Sequence, residues 1–471
     1  MKYSLFAALV LVSILRSIAA PSPVSLTIDS AASGKAISPD FNGLSFETAS
    51  LHNGSKGYDP HGYFFSETNT QLVTLFHNLG IQSLRIGGDS VDGSYIPSTN
   101  DIDALFGFVK ASGVKVIFSL NLARGNARED AALAKYLWDN YRTNLISLAI
   151  GNEPNEYRIN GQDPAVTNYQ SWFAAWKNLA SAVTSAVPDV KLDGPDTDDA
   201  AVPWAAKFAE AEQGSANVSC ILHHFKPLKS AKGKTELQLS EGELSPMLDA
   251  SNYPACYNRI GAMARSNGFS YRFTEFNDYV APIKTELRDY SFAAALFALD
   301  ALHWWAAHDC SSVHFHTGIH GFHADFFVDP DGNYQLYPIS YGIAAFNVGA
   351  RGYAEPLAMA NSDGLNLTAY AVRNGADLCV TIINRENGTG ARTAAVSIAA
   401  NGMTRGNAAA MFLVQSNGDV TATNGVTLGG TTISGAAPLR GQWTALGALT
   451  NGQCRVTVPA GSAAVVKISA R

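Results

Sequence analysis

Short apolar segments alternate with helix-like segments eight times between about residues 40 and 350 of this 471-residue chain. Several apolar segments, such as 114–118 and 146–150, are almost continuously hydrophobic, as expected for strands buried on both faces of a parallel sheet. An open doubly wound sheet is disfavoured because no Gly-x-Gly-x-x-Gly turn follows the first strand. The pattern therefore predicts an α/β fold, a (β/α)8 TIM barrel over residues 38–350.

The sequence changes character after about residue 351. Short strand-like segments follow one another there, separated by Gly, Asn and Ser turns, which is typical of an antiparallel β-sandwich. The segment 24–28 alternates in the same way before the barrel begins. We therefore predict a C-terminal antiparallel β-sandwich domain that combines residues 351–471 with residues 20–37 and so includes an N-terminal strand.

The N-terminus has the features of a secretory signal. Lys2 precedes an apolar stretch from Leu5 to Leu15, and small residues follow it. Arg16 interrupts this stretch, which is shorter than the roughly 20 apolar residues that a membrane span needs. We interpret residues 1–19 as a signal peptide and predict a secreted protein that does not associate with a membrane.

The composition narrows the possible partners. Only 15% of the residues are charged, the formal net charge is −7, and there is no basic run. These properties argue against a nucleic acid as a partner. Four Asn-x-Ser/Thr triplets fit an exported glycoprotein, and they begin at Asn53, Asn217, Asn366 and Asn387.

The five cysteines contain no Cys-x-x-Cys pair, which disfavours a zinc knuckle or a thioredoxin-like site. In an oxidising compartment, Cys379 and Cys454 are candidates for a disulfide within the C-terminal region. Cys220 and Cys256 form a weaker candidate pair. Cys310 would then remain as a buried free thiol.

Polar side chains follow the predicted barrel strands, at the end where functional residues of such barrels lie. They are Glu47, Asp89, Asn121, Asn152, Glu153, Asp193, Asp196, His223, His224, Glu275, His314 and His316. Glu153 follows the fourth strand and Glu275 ends the seventh. Two facing carboxyls suit glycosidic cleavage, because one protonates the departing oxygen while the other attacks the sugar or activates water. A residue before proline favours an extended backbone, so we expect the fourth strand to continue through Glu153.

These features resemble glycoside hydrolase family 79, the β-glucuronidases and heparanase-like enzymes, within the clan of retaining (β/α)8-barrel glycosidases. The resemblance is carried by the segments 43–47, 84–88, 151–154 and 274–277, and by a sandwich that includes an N-terminal strand. It implies that Glu153 is the general acid/base and Glu275 the nucleophile of a double displacement that retains the anomeric configuration.

The resemblance also implies a set of substrate-binding residues, which are Glu47, Asn121, Asn152, Tyr279, Tyr341 and Gly342. Asn152 would bind the sugar 2-hydroxyl, and Glu47 and Asn121 would bind other ring hydroxyls. The two tyrosines and the glycine amide would hold a C6 carboxylate. The implied activity is that of a secreted exo-β-glucuronidase without a cofactor, which acts on a β-glucuronide, an oligosaccharide or a glycoconjugate. We expect a monomer.

The chain departs from the family at the sixth strand, where the segment 223–225 reads His-His-Phe and many relatives have an additional tyrosine. No cluster of Lys and Arg lies near the rim strands, as a densely sulfated polysaccharide would require. This argues for an exo enzyme over a heparanase-like endo-β-glucuronidase.

Two other functions stay open. One is a retaining β-glycosidase for a neutral sugar, such as a β-glucosidase or β-xylosidase. The other is a non-catalytic glycan-binding protein. We expect no metal site, although four histidines lie close together in the sequence, at His314, His316, His320 and His323. The more ordinary interpretation is that these histidines line the sugar pocket or cap loops.

Overall fold

The computed structural model of the chain describes residues 21–29, 34–53, 62–280, 291–317, 326–328 and 333–470. The predicted signal peptide, residues 1–19, lies outside these ranges. Within them, no helix is both long enough and apolar enough to cross a membrane.

The strands are named in chain order. They are β1 Ser22–Asp29, β2 Lys35–Ala36, β3 Asn42–Glu47, β4 Ser83–Gly87, β5 Lys115–Leu120, β6 Leu145–Ile150, β7 Gly194–Thr197, β8 Cys220–Phe225, β9 Ser270–Phe276, β10 Val313–His316, β11 Phe326–Val328, β12 Tyr334–Leu336, β13 Tyr353–Glu355, β14 Leu357–Ala360, β15 Leu367–Asn374, β16 Asp377–Asn384, β17 Ala394–Asn401, β18 Gly406–Gln415, β19 Val426–Leu428, β20 Thr444–Ala448, β21 Gln453–Val458 and β22 Ser462–Ala470.

The α-helices are named in the same way. They are α1 Thr70–Leu79, α2 Thr99–Ser112, α3 Ala127–Tyr141, α4 Tyr157–Asn160, α5 Tyr169–Ala186, α6 Val202–Ala211, α7 Glu236–Glu243, α8 Tyr253–Arg259, α9 Gly261–Ser266, α10 Phe292–Ala307 and α11 Pro338–Gly349.

The strands β3 to β10 form a parallel sheet in the order β6-β5-β4-β3-β10-β9-β8-β7. The sheet closes between β6 and β7, where Leu148 and Leu192 form a single parallel bridge. The Leu148 amide donates to the Lys191 carbonyl there over 2.8 Å. Helices lie between the strands, so the predicted (β/α)8 barrel is confirmed.

The fifth barrel strand lies later in the chain than hydrophobicity predicts. The apolar segment 190–192 predicts a strand, but Leu192 makes only the single bridge, and the ladder to β8 begins at Gly194. All four residues of β7 are buried although its sequence is Gly-Pro-Asp-Thr. Asp196 belongs to a polar network inside the barrel mouth, and hydropathy does not detect a strand whose buried side chain is charged.

Two helices connect the barrel to the second domain. Almost every residue of α10 is buried, because the helix packs between the barrel and the C-terminal sheets. Its neighbour α11 approaches it closely at Gly342, where an added Cβ would lie 2.0 Å from the Ala295 carbonyl oxygen. The outer side of α11 contacts β16, β18, β19 and β22.

The second domain is a sandwich of two sheets, in the orders β14-β1-β17-β21 and β19-β18-β22-β16-β15-β13-β2. The N-terminal strand β1 alternates buried and exposed residues and lies between β14 and β17. Its buried side chains Val24, Leu26 and Ile28 join Val380 and Ile398 in the core between the sheets. The predicted β-sandwich with an N-terminal strand is therefore confirmed.

The predicted disulfide between Cys379 and Cys454 is wrong, because both thiols are free. On β16, the neighbours Leu378 and Val380 face the core between the sheets, so Cys379 points to the opposite face of the strand. Cys454 lies on β21 in the other sheet and points into that core. The two sulfur atoms therefore face different parts of the molecule.

The weaker candidate pair, Cys220 and Cys256, is also unbonded. Cys220 packs with Ile117 and Ala149 in a small cluster of its own, whereas Cys256 joins the large core. Cys310 is buried and free, as expected.

Candidate active site

Glu153 lies in a tight turn that follows β6. Its φ of 43° is in the left-handed region, so the expectation of an extended strand through this pre-proline residue is wrong. The Glu153 amide donates to the Asp196 carbonyl over 3.0 Å, and the Glu156 amide donates to the Glu153 carbonyl over 2.8 Å. The tertiary bond to Asp196 and the local turn bond together outweigh the preference of a residue before proline. Backbone conformations of this kind, uncommon for a non-glycine residue, cluster at active sites.

Glu275 lies on β9 beside an irregularity in the sheet. The register between β8 and β9 shifts between His223 and His224, so Glu275 pairs with His224. Consecutive side chains of a regular strand point to opposite faces. At this bulge, however, Thr274 bonds Asp196 and Glu275 bonds Lys226, both within the mouth of the barrel. Bulges of this kind commonly re-aim side chains next to active sites.

The two glutamates face each other across the mouth of the barrel. A carboxylate oxygen of Glu153 and one of Glu275 lie within 4.8 Å of each other, and a ring nitrogen of His224 lies within that distance of both. Carboxyl groups of retaining glycosidases are separated by about 5–5.5 Å, and those of inverting enzymes by about 6.5–9.5 Å. The spacing fits the retaining class.

A buried arginine lies beneath the two glutamates. The Arg85 guanidinium donates to Asn152 Oδ1 over 2.5 Å, to Asp196 Oδ2 over 2.7 Å and to Glu275 Oε2 over 3.4 Å. Its side chain is fully buried, and burial lowers its pKa, but the charges of Asp196 and Glu275 outweigh burial and raise the pKa. Arg85 is therefore a permanent cation in the floor of the site.

His224 connects the acid/base candidate to Asp196. Its Nδ1 lies 2.7 Å from Glu153 Oε1, and its Nε2 lies 3.2 Å from Asp196 Oδ1. Burial lowers the pKa of His224, but the charges of Asp196 and Glu275 outweigh burial and raise it to about 10. The imidazole is therefore protonated at neutral pH and donates to both carboxylates.

The two glutamates have different electrostatic surroundings. Burial raises the pKa of Glu275, but the charges of His316, Lys226 and His224 hold it well below its ordinary value. Burial also raises the pKa of Glu153, but the hydrogen bond from His224 outweighs burial and lowers it. Glu275 is therefore ionised, as a nucleophile requires. Glu153 carries its proton only at acidic pH, at least in the free protein.

Asn152 is held rigidly beside Glu153. Its amide nitrogen Nδ2 donates to Asp89 Oδ1 over 3.0 Å, and its backbone amide donates to Asp92 Oδ2 over 2.9 Å. Asp92 also accepts from the Tyr157 hydroxyl over 2.6 Å, and burial raises the pKa of Asp92 to about 6. Asn152 therefore lies between Arg85 and Asp89, and its role in binding the sugar 2-hydroxyl stays a prediction.

Glu47 also lies at the rim, on the side of Glu275. Its carboxylate accepts from the backbone amides of Asp89 and Ser90 over 3.2 and 2.9 Å. His316 lies between the two acids, with Nε2 3.7 Å from Glu47 and Nδ1 3.6 Å from Glu275. The backbone amides of the loop that follows β4 thus set the orientation of Glu47.

Asn121 contacts none of these groups. Its Nδ2 donates to the Gly93 carbonyl over 2.9 Å, and its Oδ1 accepts from the Arg124 amide over 2.8 Å. In the structure it shapes the loop that follows β5. A direct role in binding a ring hydroxyl stays a prediction.

The three residues expected to bind a C6 carboxylate make other contacts in the structure. The Tyr279 hydroxyl donates to the Leu239 carbonyl over 2.8 Å. The Tyr341 hydroxyl accepts from the Ile433 amide over 3.2 Å, and Gly342 lies inside α11 against α10. These contacts pack one element against another, and a role of the three residues in binding a carboxylate stays a prediction.

The donor set of Glu153, His224 and Glu275 is compact enough to hold a metal ion. The chemistry of the site does not fit one. His224 Nδ1 lies at hydrogen-bond distance from Glu153 Oε1, 2.7 Å, so these two atoms are already paired with each other. Lys226 and Arg85 already supply positive charge to Glu275.

The histidines near β10 do not form a ligand set in the described part of the chain. His314 lies below the site, where its Nε2 is 2.9 Å from the Ser83 hydroxyl. Burial lowers its pKa to about 3, so the ring is neutral. His320 and His323 lie outside the described residues.

Two cations of the site, Arg85 and Lys226, were not among the predicted site residues. An arginine at the centre of an apolar strand is a usable signal, because a buried charge must be paired. Lys226 follows β8, and nothing in the neighbouring sequence marks it as a residue of the site.

Asp193 was predicted from its place at a strand end, but its contacts are structural. Its carboxylate accepts from the Ser219 and Cys220 amides, both over 2.9 Å, and so anchors the start of β8.

No family model and no curated protein match the chain. Solved structures match nearly all of it. A 4-O-α-L-rhamnosyl-β-D-glucuronidase from Fusarium oxysporum has a TM-score of 0.69 and 16% identity, over 94% of this chain and 99% of that one. The GH51 arabinofuranosidase from Xanthomonas axonopodis pv. citri has a TM-score of 0.70 and 13% identity, over 95% and 100%. An α-L-arabinofuranosidase from Thermotoga maritima has a TM-score of 0.69 and 14% identity, over 95% and 100%. The chain therefore shares its whole fold, barrel and sandwich together, with solved glycoside hydrolases.

Proposed function

We propose that the chain is a retaining glycoside hydrolase in which Glu275 is the nucleophile and Glu153 the general acid/base. The observation that carries the proposal is the pair of carboxylates within 4.8 Å of each other at the barrel mouth. Their surroundings suit different roles, since Glu275 contacts Lys226 and Arg85 while Glu153 contacts His224.

In the first step, Glu275 attacks the anomeric carbon while Glu153 gives its proton to the glycosidic oxygen, and the aglycone leaves as an alcohol. In the second step, Glu153 takes a proton from water, the water oxygen attacks the same carbon, and the Glu275 carboxylate leaves. The cations around Glu275 stabilise the charge that returns to this carboxylate in the second step.

The geometry also lets Glu153 change roles between the steps. Burial and the negative charge of Glu275 both raise the pKa of Glu153, against the effect of His224. When Glu275 is esterified, its charge disappears, so the pKa of Glu153 falls. Glu153 then becomes the base that the second step requires.

We further propose that the substrate is a terminal β-linked glucuronic acid, that the enzyme acts as an exo-β-glucuronidase, and that it belongs to glycoside hydrolase family 79. The sequence motifs support this, and one protein of the same fold is described as a rhamnosyl-glucuronidase. The apolar N-terminal segment supports secretion. The second candidate is a retaining glycosidase for a neutral sugar, which is supported by the similarity in fold to arabinofuranosidases.

The test compares hydrolysis of 4-nitrophenyl β-glucuronide, β-glucoside, β-xyloside and α-L-arabinofuranoside by the purified protein. Proton NMR of the first product formed gives the stereochemistry. We expect the glucuronide to be cleaved fastest, with β-glucuronic acid released first. Faster cleavage of a neutral glycoside would show that the substrate is a neutral sugar and not a glucuronide. An inverted product would overturn the retaining mechanism. Binding of glycans without any turnover would favour a glycan-binding protein.

A further inference from the structure

Lys226 differs from Arg85 and His224, the two fully buried cations beside the glutamates. It follows β8 directly, and its ammonium donates to Glu275 Oε1 over 2.7 Å. Its side chain keeps 18% of its surface exposed, whereas the side chains of Arg85 and His224 keep 0% and 1%. An ammonium has three donors, and among the described residues only Glu275 takes one. Within the described part of the chain, two donors therefore remain for a ligand at the mouth of the barrel.

Lys226 is one of several cations that lie beside Glu275. Arg85 and His224 already lie beside the Glu275 carboxylate, at 3.4 and 3.8 Å. A further hydrogen bond from a full positive charge stabilises the carboxylate and so weakens it as a nucleophile. Such a contact makes chemical sense if the ammonium also binds something else during the reaction.

An acidic sugar meets an unfavourable field at this site without such a cation. Glu47, Asp89, Glu153 and Asp196 surround the mouth together with Glu275. A further carboxylate, brought in by the substrate, would be repelled by these groups. The hydroxyls of Tyr279 and Tyr341, which could have received it, make their contacts elsewhere.

The position of Lys226 suits the C6 carboxylate of a uronic acid. The anomeric carbon must approach Glu275 to about 3–3.5 Å for attack. In a pyranuronic acid the C6 carboxylate is joined to this carbon through only the ring oxygen and C5. A group in hydrogen-bond contact with Glu275 is therefore within reach of that carboxylate while the sugar is bound for attack.

We infer that the Lys226 ammonium bridges the Glu275 carboxylate and the C6 carboxylate of a terminal β-linked uronic acid, and that it sets the preference for uronides over neutral pyranosides. This inference rests on the proposed glycosidase function. Lys226 would thereby replace the neutral donors that the sequence resemblance implied.

The test uses 4-nitrophenyl β-D-glucuronide and 4-nitrophenyl β-D-glucoside, which differ only at C6. Because Lys226 also touches Glu275, its substitution will slow both reactions, so the readout is the ratio of the two kcat/KM values. Lys226→Met should lower this glucuronide-to-glucoside ratio on the order of 10- to 100-fold, the effect of one charge-assisted hydrogen bond. The matched control, Lys226→Arg, keeps the charge and should change the ratio much less.

An unchanged ratio in Lys226→Met would overturn the inference, and so would a wild-type protein that prefers the glucoside. Neither result bears on the retaining mechanism. A wild-type protein that cleaves no glycoside would refute the proposed function itself. If Lys226→Met does not fold, inhibition of the wild type by D-glucuronate and by its uncharged C6 amide is compared. We expect the acid to bind at least tenfold more tightly, and equal affinities would refute the role of the ammonium.

Discussion

Nδ1 of His224 lies 2.7 Å from Oε1 of Glu153, and the opposite nitrogen of the ring faces Asp196. This arrangement links the acid/base candidate to a buried carboxylate through a protonated imidazole. It makes the proton affinity of Glu153 depend on a residue from a different strand.

Removal of the imidazole should shift the pH dependence of catalysis. The hydrogen bond from His224 lowers the pKa of Glu153, so His224→Ala should raise that pKa. Activity in the first step requires protonated Glu153, and the alkaline limb of the pH profile of kcat/KM should therefore move to higher pH. The control is His223→Gln, because His223 faces Asp199 rather than Glu153. A shift to lower pH, or the same shift in both variants, would contradict this account.

The two glutamates should respond differently to truncation. Glu275→Ala should abolish turnover of every glycoside, because no nucleophile remains. Glu153→Ala should reduce kcat/KM by about 10²–10⁴-fold for a substrate with a poor leaving group, and much less for one with a good leaving group that needs no proton. The comparison of a methyl and a 2,4-dinitrophenyl glycoside measures this difference. Glu156→Ala, three residues away, is the matched control and should show no such dependence on the leaving group.

A buried ion pair should stabilise the contact between the barrel and the sandwich. Arg385 of the loop after β16 donates to Asp300 of α10 over 3.3 Å and to Asp249 over 3.0 Å, and the side chains of Arg385 and Asp300 are only 2% and 1% exposed. Arg385→Met leaves a buried carboxylate without its cation, which should lower the free energy of unfolding by about 3–5 kcal/mol. Chemical denaturation measures the loss. Lys135→Met, which breaks an exposed ion pair on α3, should have little effect.

The cysteines should behave as buried thiols. All five are free, so denatured protein should react with five equivalents of a thiol reagent, and the native protein should react slowly. A reducing agent should leave the melting temperature unchanged. A smaller number of thiols, together with a lower melting temperature on reduction, would instead indicate a disulfide.

The regular elements could be predicted from the sequence because their signals are local. Buried strands and amphipathic helices are encoded by the spacing of apolar residues within a few positions of one another. The two glutamates could be predicted as a pair because the carboxyl ends of all barrel strands meet at one rim, whatever the details of packing. The short alternating segments and the turns between them predicted the sandwich and its N-terminal strand in the same way.

The partners of these side chains were decided only by the tertiary structure. Glu153 takes a left-handed backbone because an amide–carbonyl bond to Asp196 outweighs the preference set by the following proline. Cys379 and Cys454 point to different faces because of the register of two separate sheets. Tyr279 and Tyr341 bond distant backbone groups, whereas Lys226, an unremarked lysine in the sequence, reaches Glu275. The local spacing of apolar residues determines which segments become strands and helices, and therefore which residues lie at the rim of the barrel. The hydrogen bonds and charges of the site come from residues far apart in the chain, so only the folded arrangement specifies them.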